Sequence, residues 1–199
     1  MFLSLQIVGW FLFSCILMSF IEHQVHSKLM HKRSIPMFQR TFQAHAIDHH
    51  MHYLSIFHDE PVGKNEDKEI RLTVRKAPIK ALPIAAVIAL VSVPGAVVFV
   101  LTATLHHWIW NKIHLEMHKP EQRGFSHWSI YKAFARYHWL HHRYPNKNFN
   151  VVFPFADFVL GTHAKATEED RQAMRLEFEP ATVVNKAESK TLVGCGPRR

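Results

Sequence analysis

Apolar and polar positions divide the chain into blocks before any single residue is considered. Residues 1–21, MFLSLQIVGWFLFSCILMSFI, carry no charged side chain. A helix crossing about 30 Å of hydrocarbon needs about 20 residues, and this run is long enough. A secretory leader is the rival reading, but the run has neither a basic leading region nor a small-residue cleavage site. The expectation is a retained anchor helix. A second apolar block covers 81–113 and begins ALPIAAVIALVSVPGAVVFVLTATLHHWIW. Pro94-Gly95 interrupts it near the middle and is a turn signal, although one proline can also simply kink a spanning helix. Two halves of about 15 residues, each about 23 Å long, predict a shallow hairpin or two short tilted spans.

The polar blocks complete the outline. Residues 60–80 read as a charged connector, whose EIRLTVR alternates weakly, as a strand or a loop would. Residues 120–165 mix aromatic and basic residues and predict short helices lying against a membrane surface. Thr167 opens a capped helix, EEDRQAMRLEFE, that Pro180 stops, and 181–199 read as disordered. The predicted fold class is all-α: an integral membrane helical protein with an N-terminal transmembrane helix (about 1–21) and a short apolar hairpin (81–113). A cytoplasmic-side helical cap completes it. Residues 1–165 form the membrane domain and 166–199 a C-terminal helix and flexible tail.

Charge sets an expected orientation. The net charge is +8, and Lys28, Lys32, Arg33 and Arg40 closely follow the first apolar run. The positive-inside rule therefore puts 22–80 on the cytoplasmic side. A hairpin returns the chain to that side, whereas a single kinked span would part His114–His142 from His26–His50. The basic residues are scattered between apolar runs without a nucleic-acid motif, so an anionic membrane face is the expected partner, not a nucleic acid. Cys15 and Cys195 are too far apart in character and position to form a disulfide framework.

Candidate chemistry lies in the 17 histidines. Four clusters stand out: EHQVHSKLMH (His23, His26, His31), HAIDHHMH (His45, His49, His50, His52), HLEMH (His114, His118) and HWLHH (His138, His141, His142). Residues three and four apart share a helix face, so His138, His141 and His142 converge, as do His114 and His118, and His45, His49 and His52 form a stripe. His26 and His31 are five apart. They need a helix end between them or flank a wide site, and His23 with His26 is the alternative pair. Neutral imidazole suits Fe, Zn, Cu or Ni. One tetrahedral ion takes four ligands, so this number of clustered rings predicts two metals with a nitrogen-rich shell. Glu22 and Asp48 are either solvated acids or outer partners of ligand rings. His58, His106, His107, His127 and His163 read as ordinary interfacial histidines.

With these residues in view, the order H-x4-H, H-x3-HH, H-x3-H, H-x2-HH resembles the membrane fatty acid hydroxylase and sterol desaturase superfamily, closest in layout to the fatty acid 2-hydroxylases. The resemblance runs from about Glu22 to Thr162. Its most specific part is HWLHHRYPNKNFNVVFPFADFVLGT, with Asp157, Gly161 and Thr162 in the family's closing positions. It implies that His26, His31, His45, His49, His50, His114, His118, His138, His141 and His142 are the metal ligands. It implies two iron ions, with zinc acceptable to the same site, O2 as oxidant and a lipid substrate. Electrons would come from a separate b-type cytochrome or ferredoxin-like donor. The second cluster departs from the commoner H-x2-HH, which leaves His50 and His52 competing for one position. FNVVFPFADFVL (149–160) is a lipid-facing tunnel wall or an interfacial anchor.

The implied activity is hydroxylation of a lipid C–H bond, with desaturation or sterol or carotenoid hydroxylation as the near alternatives. A non-enzymatic membrane metal-binding or transport protein is the alternative of another class, and it would line its spans with polar residues. A haem protein would need two axial rings on facing helices rather than close triplets.

Overall fold

The computed structural model describes residues 2–33, 35–54, 56–59, 73–120 and 124–178. The chain divides into two units, Met1–Ala164 and Lys165–Arg199. All regular structure among the described residues is helical, and no strand is present among them. Most of EIRLTVR lies outside the described residues, as do 181–199, the expected disordered tail. Val74–Lys76, at the end of the first, is a single 3-10 turn.

Three apolar helices form the body of the first unit. Helix α1 (Phe2–Gln24) runs on into a π-helical segment, Val25–Met30. A continuous helical stretch follows, built of α2 (Gln39–Phe42), π-helical Gln43–His49 and α3 (His50–His52). Then come α4 (Ala77–Ala89) and α5 (Val93–Ile113). The second apolar block is thus a hairpin, but an unequal one: it starts before residue 81, and its arms have 13 and 21 residues, not two similar halves. The turn falls just ahead of Pro94-Gly95. Ser92 caps α5 by accepting from Gly95 N at 3.1 Å, and the proline occupies the first turn, where its missing N–H costs nothing.

Met18 of α1, Ala81, Ala85 and Ile88 of α4, and Ala96, Phe99 and Ala103 of α5 make one buried apolar cluster. Small residues on α4 and α5 let the helices approach closely. The tightest point is Gly95, where an added Cβ would stand 2.5 Å from the Trp10 ring. The continuous helical segments Ser4–Met30 and Val93–His118 are long and apolar enough to cross a membrane. Their outer faces carry large exposed apolar side chains, among them Leu5, Val8, Leu12, Val97 and Leu101.

The rest of the first unit closes over one end of these helices. Leu115–His118 and Gly124–His127 are 3-10 turns, α6 is Ser129–Arg143 and α7 is Phe155–Val159. Gly161, at φ +69°, takes the left-handed conformation that ends α7. In the second unit α8 (Glu168–Phe178) begins with a reciprocal cap: Asp170 accepts from Thr167 N at 2.8 Å, and Thr167 Oγ1 accepts from Asp170 N at 3.1 Å.

Candidate metal centre

All ten histidines of the expected ligand set come together at one end of α1 and α5. Two groups of four could each hold a metal ion: His26, His31, His45 and His141, and His49, His114, His118 and His138. Within each group one nitrogen from each ring lies within 4.8 Å of those of the others. The groups adjoin, with His45 and His49 stacked at 5.1 Å between ring centroids. His50 joins the first through His141 (Nε2 to Nε2 3.1 Å), and His142 joins the second through His138 (3.2 Å).

Local helix geometry explains how the odd spacings converge. His26 and His31 are five apart, which an α-helix would splay. Here the chain is π-helical, and His31 N donates to the His26 carbonyl at 3.1 Å. The i→i+5 turn puts both rings on one face. The second π segment repeats the device, with His50 N donating to the His45 carbonyl. It sends His45 and His50 to the first group and His49 to the second. It also turns His52 out of the stripe that α-helical spacing predicted. His52 faces Asp59 instead (3.8 Å), and His23 pairs with Thr162 Oγ1 at 2.9 Å, so neither joins a group.

The second layer is mostly backbone. Nδ1–H of His26, His118 and His141 donates to the carbonyls of Phe149, Phe57 and Lys147. A carbonyl can only accept, so each of these neutral rings carries its lone pair on Nε2. Those lone pairs face other Nε2 atoms: His141 to His31 at 3.1 Å, His118 to His138 at 3.2 Å and His26 to His45 at 2.7 Å. Ligand nitrogens about 2.0–2.1 Å from one tetrahedral ion stand about 3.3 Å apart, close to the two longer separations. His49 and His114 are fully buried, yet neither ring nitrogen of either has a hydrogen-bond partner among the described residues. Buried polar atoms left without partners cost free energy, and a cation between the rings would take up one nitrogen of each.

Burial also keeps the rings neutral. Desolvation, reinforced by His141, takes His31 down to about 3. Desolvation takes His141 to about 4, opposed by its bond to the Lys147 carbonyl. His45, His49, His50, His138 and His142 are likewise held well below the ordinary histidine value, first by burial and then by one another. Neutral rings are the form that binds metal.

The acids play other parts than outer partners of ligand rings. Asp48 is exposed and accepts from Gln43 Nε2 at 2.9 Å. Glu22 accepts from Val151 N at 2.8 Å and Asn150 Nδ2 at 3.2 Å, and lies 3.3 Å from His106 Nε2. His106 is therefore a buried residue facing a carboxylate, not an interfacial one. Sequence reasoning missed this pair, because a histidine inside an apolar run gives no sign of which way it faces.

A cavity of about 220 Å³ abuts the first group at His26. It exists because α4 is shorter than α5: its first turn stands level with His106 and His107, about 12 Å short of His114. Met18, Ile84, Phe99 and Ala103 supply apolar wall, and Glu22, Lys80, His106 and His107 a polar band. Residues 149–160 contribute nothing to this wall. Phe153, Phe155 and Phe158 are instead exposed, as an interfacial anchor would be. Compared with models of protein families, with curated proteins and with solved structures, the chain finds no match in any of the three.

Proposed function

We propose that this chain is a membrane-embedded oxygenase that hydroxylates a C–H bond of a lipid at a histidine-bound pair of metal ions, iron in the working enzyme. One observation carries the reading. Histidines from four separate segments converge in two adjoining four-nitrogen groups, at the end of apolar helices and beside an apolar cavity. The metal pair would supply O2 activation with electrons from a separate donor, a b-type cytochrome or a ferredoxin-like protein. An unactivated C–H bond is beyond any side chain alone.

The chain's own residues have three tasks in this reading. The ten histidines hold the ions, with the carbonyls of Phe57, Lys147 and Phe149 fixing three of the rings. The apolar wall of the cavity receives the lipid chain without passing it through water. In this reading the apolar outer faces of α1 and α5 lie in the bilayer with the histidine end near its surface, supported by their length and apolar character. The basic residues after α1 support the cytoplasmic side for that end.

The test is expression in a host of defined lipidome, with mass spectrometry of the lipids and metal analysis of the purified protein. A gain of one oxygen on a host lipid, dependent on His141, is the expected result. A loss of two hydrogens would make the enzyme a desaturase on the same site. A preparation that binds no metal, or an unchanged lipidome with iron loaded and donor present, would overturn the proposal.

A further inference from the structure

Asp157 belongs to neither histidine group and is fully buried, and it gathers four hydrogen-bond donors on two oxygens, with His23 Nε2 a further neighbour 3.6 Å from Oδ1. Oδ1 accepts from Phe149 N at 3.0 Å and Thr162 Oγ1 at 2.7 Å. Oδ2 accepts from Asn150 N at 2.8 Å and Tyr137 Oη at 3.0 Å. The loop it grips is the loop that grips the rings: the Phe149 carbonyl takes the Nδ1 proton of His26, and the Lys147 carbonyl that of His141. Asn148, between them at φ 55°, is locked by its amide to the Tyr137 carbonyl and by its N–H to the Thr162 carbonyl. Both rings belong to the first group. In the second group the ring fixed by a carbonyl is His118, and its partner is Phe57, outside this loop.

Taking the dimetal reading as given, we infer that Asp157 is a positioning residue for one ion only. It fixes the Nδ1–H tautomer and the aim of His26 and His141, and so governs the affinity of the first group and not of the second. Nothing in the histidine pattern distinguishes the two groups. The distinction arises because one carboxylate holds the two carbonyls that serve the first.

The test uses the full chain in detergent, loaded with Zn(II) or Co(II) and measured by metal stoichiometry and, for Co(II), visible absorption. Asp157→Asn keeps the shape but leaves one acceptor oxygen in place of two, so a backbone N–H of Phe149 or Asn150 loses its partner. Wild type should bind two ions. The variant should keep one and bind the other roughly 10–100-fold more weakly, the usual effect of losing an outer partner. Adding His114→Ala should then weaken the ion that the variant kept, while adding His45→Ala should abolish the weakened one and leave the kept ion bound. Two ions retained at wild-type affinity, or both lost together, would overturn the inference. A wild type that binds none would overturn the dimetal reading instead.

Should Asp157→Asn fail to accumulate, Thr162→Val removes one donor and spares both backbone bonds. It should speed release to a chelator from the first group several-fold and leave the second group's rate unchanged. Equal rates from the two groups would count against the inference.

Discussion

His50 and His142 stack face to face, ring centroids 4.2 Å apart and planes within 17°. Each reaches a different group, His50 through His141 and His142 through His138. The pair thus joins the two candidate ion sites. The sequence left His50 and His52 in competition, and their surroundings separate them: His50 is buried among rings, while His52 faces Asp59. His50→Ala should lower metal affinity and abolish turnover, and His52→Ala should leave two ions bound. Metal analysis of the two variants side by side checks this. Equal loss from both would show that His52 serves the site.

Acid should unfold the metal-free protein early. An unfolded histidine takes up its proton near pH 6.5, whereas His141 and His31 do so only near 4 and 3 in the folded state. Below 6.5 the unfolded state therefore binds more protons, and stability falls as pH falls. Each such ring costs about 1.4 kcal/mol per pH unit until its folded value is reached. Above 6.5 neither state is protonated and the dependence vanishes. Thermal melts between pH 8 and 5 should show a flat upper range and a steep decline below 6.5. A melting temperature constant down to pH 5 would contradict the burial of these rings.

Filling the cavity should stop turnover without touching the ions. Ala103 is buried in its wall, remote in sequence from every ligand. Ala103→Phe should abolish or truncate the range of lipids oxidised while two ions stay bound, at a stability cost of about 1–3 kcal/mol. Full activity on unchanged lipids would show that the substrate lies elsewhere.

The Gly95–Trp10 contact should be the least forgiving point of the helix packing. A Cβ at residue 95 would meet the Trp10 ring at 2.5 Å. Gly95→Ala should destabilise the chain by about 1–3 kcal/mol, and Trp10→Ala should recover part of that loss in the double variant. Thermal unfolding in detergent reads both values, and strict additivity would mean that the two residues do not press on each other.

The sequence by itself determined the apolar elements and the residues that could hold a metal ion. Two uncharged apolar runs, a Pro-Gly break and the capped start of α8 are local features, set by hydrophobicity and backbone preference within a few residues. The histidine spacings likewise showed which rings could share a face, and the family resemblance, not the spacing, implied the ten that gather. Only the tertiary structure decided how they divide. The π-helical turns at Val25–Met30 and Gln43–His49 re-aim rings that an ideal helix would splay. The partition into two groups, the carbonyls that fix the rings, Asp157 behind them and the cavity beside the short arm of the hairpin all depend on tertiary contacts, some local (His141 to Lys147) and some spanning much of the chain (His26 to Phe149), or on unequal helix lengths. Such pairings leave no periodic trace along a chain, because each is settled by which surfaces remain free once the apolar helices have packed.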